Sequence, residues 1–123
     1  MRLSDLVDPT IGTDGAGECL IGPYLPHSLV RLSPDVPTPQ PTSGYRSDKP
    51  IARFTHTHVA GTGGQSRYGN VGLLPYCGGV MLSAPGPYEK RDESAAAGYY
   101  AVPLDTEAGD VRCELASTPR CGV

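Results

Sequence analysis

The chain has 123 residues, which fits one domain of ordinary size or a piece of a larger one. A hydrophobic fraction of 38% with 16 glycines and 13 prolines favours a loop-rich β fold. The net charge of −3 and the scattered basic residues argue against a nucleic-acid-binding protein, and no apolar run reaches the length of a membrane span. The apolar residues gather in short runs, which disordered chains usually lack.

The N-terminal segment lacks the apolar core of a signal peptide, so the chain as written is expected in the cytoplasm. Free thiols are expected for that reason, because disulfides belong mainly to oxidising compartments. A thiolate zinc site is disfavoured, since the chain has no Cys-x-x-Cys pair. Its cysteines are widely spaced, and the third lies in a strand-like run, where a small buried thiol is expected: Cys19, Cys77, Cys113 and Cys121.

Short strand-like runs separated by turn residues predict an antiparallel all-β sandwich. In chain order the runs are residues 29–32, 51–59, 71–74, 79–83, 99–104 and 111–115. Residues 34–42 contain four prolines and are expected to form an irregular loop. Residues 93–97 form the one plausible helical turn, which Gly98 would end. The chain ends soon after its last strand, which suggests that the sandwich is incomplete.

Two histidines, His56 and His58, precede a glycine-rich run within residues 51–59. Strand side chains alternate between faces, so both imidazoles are expected on one side, with Phe54. Three interpretations remain open: a metal site completed by His27 or Asp48, a pair of satisfied and partly buried histidines, or contact with a ligand. A neutral imidazole offers one donor and one acceptor, which suits hydroxyl groups.

Other chemical motifs are incomplete. The run Gly61-Thr62-Gly63-Gly64 lacks the Lys-Ser/Thr pair and the helix of a phosphate loop, and the earlier run Gly12-Thr13-Asp14-Gly15 lacks the helix of a dinucleotide site. The acidic and basic residues 89–93 are typical of a solvated loop. No set of catalytic residues is predicted within this chain.

Several segments resemble, in the same order, the N-terminal part of the family 92 glycoside hydrolases, which are calcium-dependent exo-acting α-mannosidases. The most specific is the run from Phe54 to Gly63, similar to the family's Phe-Ser-His-Thr-His-Leu-Ser-Gly-Thr-Gly motif. Residues 43–45, Ser-Gly-Tyr, match a block that precedes those histidines. The other similar segments are residues 7–13, 25–35, 98–100 and 114–118.

The resemblance implies that residues 1–123 are part of an N-terminal β-sandwich domain of the galactose-mutarotase-like supersandwich type. It also implies that a catalytic (α/α)6 barrel, absent from this chain, supplies the acid and base of an inverting hydrolysis. Calcium is implied as a cofactor, with ligands mostly outside the chain, and family members are often secreted or periplasmic. The implied sugar-binding residues here are Ser43, Gly44, Tyr45, His56, His58, Gly61, Thr62 and Gly63.

The predicted function is therefore substrate recognition within an α-mannosidase-like glycoside hydrolase acting on α-mannosides of the N-glycan type. The chain alone is not expected to be catalytic, and it would need the family's helical domain as a partner. No nucleic-acid or membrane partner is expected. The alternative is a stand-alone carbohydrate-binding module without enzymatic activity.

Overall fold

The computed structural model describes residues 1–15, 17, 19–37, 44–58 and 71–123. Within them, two antiparallel three-stranded sheets account for nearly all the regular structure. The first sheet has the order β1 (Ser33–Asp35), β2 (Arg53–Thr55) and β3 (Gly72–Leu73). The second has the order β4 (Ser94–Ala96), β5 (Tyr99–Thr106) and β6 (Gly109–Ala116). A short 3-10 helix, Leu3–Leu6, lies near the N-terminus. The expected antiparallel all-β sandwich is confirmed.

The β5–β6 hairpin is the most regular part of the fold. Its strands pair from Tyr99 opposite Ala116 to Thr106 opposite Gly109, with a two-residue turn between them. Cys113 and Leu115 of β6 are buried, whereas Arg112 and Glu114, which alternate with them, are exposed. This alternation is the one that the sequence predicts for a strand with a single buried face.

The two sheets share one hydrophobic core. It includes Phe54 from β2, Tyr100 and Leu104 from β5, and Leu115 from β6. The loops add Tyr45 and other side chains to the same cluster. Two backbone hydrogen bonds between Ile51 and Tyr88, 2.9 and 2.8 Å long, link the segment that precedes β2 to the segment that precedes β4. The core therefore fixes the end of β2 relative to the second sheet.

Three local predictions are wrong. Residues 94–96 form strand β4 and not a helical turn, because they pair with Tyr99–Ala101 across a turn at Gly98, whose φ is +81°. Pro34 lies within β1 opposite Phe54, although residues 34–42 were expected to be irregular; residues 38–42 lie outside the described part. Residues 79–83 form no strand, and Val80 and Leu82 are exposed.

The predicted strand at 29–32 is also displaced, since the first strand begins at Ser33. Leu29 and Arg31 nevertheless donate backbone hydrogen bonds to Pro119 and His56. The strand that contains the histidine motif is shorter than the predicted 51–59, since β2 ends at Thr55 and Val59 lies outside the described part. No helix in the described ranges is long and apolar enough to cross a membrane.

Candidate functional site

Three of the motif segments meet around the carboxylate of Asp35. Asp35 ends β1, Gly44 lies beside it, and His58 follows β2 by three residues. His58 Nε2 lies 2.6 Å from Asp35 Oδ1, and a Cβ on Gly44 would lie 2.6 Å from the same oxygen. Val36 donates a backbone hydrogen bond of 2.7 Å to the Gly44 carbonyl, which holds the loop against β1. Residues far apart in sequence thus form one cluster.

The His58 ring is held on both sides. Nδ1 lies 2.6 Å from the carbonyl oxygen of Arg31, which can only accept, so Nδ1 carries a hydrogen. Nε2 faces the Asp35 carboxyl and the Thr55 hydroxyl, the latter at 3.0 Å. Only 3% of the His58 side chain is exposed, and both ring nitrogens contact protein groups.

The Asp35 carboxylate is buried, with 1% of its side chain exposed, and fully engaged. Besides His58, it accepts hydrogen bonds from Arg53 Nε at 3.0 Å and from the Thr55 hydroxyl at 3.1 Å. A buried carboxylate is expensive unless it is paired in this way. We call these four residues, Asp35, Arg53, Thr55 and His58, the Asp35 cluster.

His56 lies on the opposite side of β2 from His58, so the expectation that both imidazoles share one face is wrong. The strand ends at Thr55, and alternation does not continue through the bend that follows. His56 Nε2 lies 3.1 Å from the carbonyl oxygen of Gly122. The ring contributes to a cavity of about 290 Å³ between the sheets, whose walls include Phe54 and Leu115.

Tyr45 is fully buried. Neither its residue type nor the Ser-Gly-Tyr motif predicted that burial. Its hydroxyl lies 2.6 and 2.8 Å from the two carboxylate oxygens of Glu93 and accepts a 2.6 Å hydrogen bond from Lys90 Nζ. Tyr100 donates to the same carboxylate at 2.9 Å. Burial raises the pKa of the Tyr45 and Tyr100 hydroxyls, and the negative charge of Glu93 adds to the effect, so both remain protonated donors.

Lys90 and Glu93 belong to the run 89–93, which the sequence suggested was a solvated loop. That interpretation is wrong for these two residues, since only 9% and 20% of their side chains are exposed. Lys90 Nζ also lies 4.4 Å from the centre of the Tyr45 ring. A spacing of three residues between opposite charges was the available signal, but it does not reveal a buried partner 45 residues earlier in the chain.

Four of the expected sugar-binding residues lie outside the described part: Ser43, Gly61, Thr62 and Gly63. The other four are placed, and the structure brings Gly44 and His58 together. Tyr45 follows Gly44 but points into the core, and His56 lies across β2.

Calcium has no evident ligand set among the described residues, where no three His, Cys, Asp or Glu side chains are grouped to hold a metal. Calcium takes six to eight oxygen ligands. Asp35, the buried carboxylate at the site, is surrounded by the cationic Arg53 and by His58, which is unlike a cation site. Zinc shared by His56 and His58 is disfavoured because the rings lie on opposite sides of β2. All four cysteines are free thiols, and Cys113 is buried as expected.

Two GH92 proteins are among the solved structures that are similar to this chain. One is the family GH92 α-mannosidase from Bacteroides thetaiotaomicron, solved in complex with mannoimidazole. It is 28% identical with a TM-score of 0.81, and the match covers 99% of this chain but 17% of that one. The GH92 family glycosyl hydrolase ccman5 is 27% identical with a TM-score of 0.76, over 98% of this chain and 18% of that one.

A curated relative and a family model agree with the structural match. An uncharacterized secreted glycosidase of Arthroderma benhamiae is 31% identical over 70 residues, which are 56% of this chain and 9% of the relative. This chain therefore spans a small part of the proteins that it matches. Residues 6–123 match the model of the glycosyl hydrolase family 92 N-terminal domain. The resemblance seen in the sequence is thus confirmed, and the chain belongs to glycosyl hydrolase family 92 as part of its N-terminal domain.

Proposed function

We propose that this chain forms part of the sugar-recognition domain of an α-mannosidase-like glycoside hydrolase and does not catalyse hydrolysis alone. One observation carries the proposal: the family's motif segments converge on the buried contact between His58 and Asp35. The run Val59-Ala60-Gly61-Thr62-Gly63 follows His58 directly in the sequence, and its glycines would let a sugar approach the backbone. The substrate class proposed is the α-mannosides of the N-glycan type.

The described carboxylates support a recognition role without catalysis. Among the described residues, Asp35 and Glu93 are the acidic side chains that are not exposed. Each is occupied by three protein partners: Arg53, Thr55 and His58 for Asp35, and Tyr45, Lys90 and Tyr100 for Glu93. A general acid or base must reach the proton that it transfers. We propose that the two carboxyl groups of the inverting reaction come from a helical domain outside this chain.

Within the site, we assign separate roles to the candidate residues. His58 orients the segment that follows it, since its nitrogens are engaged with Arg31, Asp35 and Thr55. Gly44 gives the close packing that this requires, because its Cα lies against Asp35 and His58. Direct contact with sugar hydroxyls is assigned to Ser43, Gly61, Thr62 and Gly63. Calcium, as a cofactor of the whole enzyme, would take its ligands from residues other than the Asp35 cluster.

The relative's description as secreted supports a role for family members outside the cell.

A titration of the purified chain with methyl α-mannoside tests the proposal, with methyl α-galactoside as the control sugar. A monosaccharide of about 13 non-hydrogen atoms at about 0.3 kcal/mol per atom gives about 4 kcal/mol, a Kd of about 1 mM. We expect amide NMR shifts at Gly44 and Gly61 with the mannoside and no hydrolysis of an aryl α-mannoside. Absence of shifts at about 50-fold that concentration overturns recognition by this chain. A micromolar Kd would instead indicate a stand-alone binding module, and turnover lost on mutation of this chain would contradict the assignment of catalysis elsewhere.

A further inference from the structure

The contacts of Tyr45 with the second sheet point to a role for two residues that the family motifs do not include. We propose that Lys90 and Glu93 are positioning residues, which hold the Gly44–Tyr45 segment in the place that the sugar site needs. We call Lys90, Glu93 and their partner Tyr100 the clamp. The proposal rests on the proposed function for its consequence in sugar binding, but its structural part can be tested separately.

The backbone brings the clamp residues to one point. Residues 89–91 run beside β5, with Arg91 donating to Pro103 at 3.1 Å and Asp105 donating to Glu89 at 2.9 Å. Asp92 then has a φ of +43°, in the left-handed region that residues other than Gly, Asn and Asp rarely adopt. This reversal turns Lys90 and Glu93 toward the same side. Both side chains therefore reach Tyr45 from a segment anchored to the second sheet.

The clamp is electrically balanced and nearly closed to solvent. The Glu93 carboxylate accepts from Lys90 Nζ at 3.1 Å and from the hydroxyls of Tyr45 and Tyr100. Burial lowers the pKa of Lys90, and the neighbouring charge of Glu93 opposes that shift. Lys90 also donates to the Arg46 carbonyl at 3.4 Å, on the residue after Tyr45. The clamp thus holds both the side chain of Tyr45 and the backbone next to it.

A displacement of Tyr45 would change the position of Gly44 in the candidate site. Gly44 is the preceding residue, and the space for a Cβ there is already occupied by Asp35 Oδ1 and the His58 ring. Apolar side chains of similar volume could fill the core as stably as a buried ion pair. Directional hydrogen bonds to the hydroxyl, in contrast, select one position of the Tyr45 ring. The clamp is therefore suited to fixing geometry, and not only to adding stability.

The test uses the full chain with Glu93→Gln, Lys90→Met and Tyr45→Phe, and with Glu114→Gln as the control. Glu114 pairs with Arg112 on the exposed face of the same sheet. Amide and imidazole NMR signals of Gly44 and His58 report the geometry, and a titration with methyl α-mannoside reports binding. We expect each of these three variants, Glu93→Gln, Lys90→Met and Tyr45→Phe, to move the Gly44 and His58 signals. Each should also weaken binding about tenfold, equal to about 1.4 kcal/mol. Glu114→Gln should change neither.

Val111→Ala separates positioning from general destabilisation, because Val111 packs against the core without contributing a polar group to the clamp. It should lower the Tm and leave the Gly44 and His58 signals in place. Lys90→Arg, which keeps the charge and donors, should restore more of the wild-type signals than Lys90→Met. If Glu93→Gln does not fold, Tyr45→Phe serves in its place, because it removes only the hydroxyl that contacts Glu93 and Lys90. Unmoved Gly44 and His58 signals in a folded clamp variant would overturn the proposal. If the wild-type chain shows no binding, the proposed function fails while the signals still decide the role of the clamp.

Discussion

Replacing Gly44 by alanine tests the packing of the candidate site most directly. Gly44 has a φ of +111°, where an L side chain is strained. The new Cβ would lie 2.6 Å from Asp35 Oδ1 and 3.1 Å from His58 Cδ2. Asp35 cannot retreat easily, because it is buried and held by Arg53, Thr55 and His58. Either the loop moves away from β1 or the contact between His58 and Asp35 lengthens.

The expected loss combines two costs. The positive φ costs about 1–2 kcal/mol for a residue with a Cβ. Forcing an added methyl group into a well-packed site costs about 1–3 kcal/mol more. The sum is about 2–5 kcal/mol in the free energy of unfolding. At about 4 °C per kcal/mol for a domain of this length, the Tm should fall by about 8–20 °C.

Gly109→Ala provides the matched control. Gly109 has a φ of +128° and is fixed by the β5–β6 pairing, but a Cβ there would meet nothing within 4 Å. Only the conformational cost applies, about 1–2 kcal/mol, which corresponds to about 4–8 °C. Urea unfolding followed by circular dichroism measures both variants. Equal losses for the two would refute the reasoning, since they would show that contact with Asp35 and His58 adds nothing.

Two further predictions concern the core and a thiol. Leu104→Ala should lower the free energy of unfolding by about 2–5 kcal/mol, because Leu104 is fully buried. As the control, Leu82→Ala should change it by less than about 0.5 kcal/mol, because Leu82 is exposed. Similar urea midpoints for the two variants would contradict the placement of Leu104 in the core. Burial raises the pKa of Cys113 to about 11, so at pH 8 its reactive thiolate is scarce. Titration with a thiol reagent should show that three cysteines react quickly and that Cys113 reacts slowly. The reaction of Cys113 should become fast in urea and at pH values near its pKa. Equal reaction rates for all four thiols in buffer would contradict the burial of Cys113.

The sequence predicted the parts of the fold that local patterns control. Alternation in residues 111–115 placed Cys113 and Leu115 inside, and the structure agrees. It failed for Ser94–Ala96, because alanine favours a helix only where no neighbouring strand competes, and β5 pairs with that segment. The local pattern also failed for Pro34, which lies in β1 and pairs with Phe54. A residue without an amide donor can still occupy a strand if its partner does not need that donor.

The candidate site could be predicted in position but not in orientation. The resemblance implied Gly44, His56 and His58 as parts of one site, and the structure places His58 next to Gly44. The rule of alternation holds only within a continuous strand, and β2 ends at Thr55. The partners of these side chains come from distant segments: Asp35 lies 23 residues before His58, and Glu93 lies 48 residues after Tyr45. One sequence contains no signal for such pairings, because any of several exposed acids could have been the partner.

The two buried polar groups have a common consequence for the site. The Asp35 cluster holds Gly44 from the first sheet, and the clamp holds Tyr45 from the second. A peptide bond joins these two residues, so the relative position of the sheets determines the geometry on both sides of it. Any change that lets the sheets slide must break hydrogen bonds in one group or the other, each with a buried charge to leave unpaired. We therefore expect the Gly44–Tyr45 segment to be as rigid as the core beneath it, which lowers the entropy lost when a small and weakly held sugar binds.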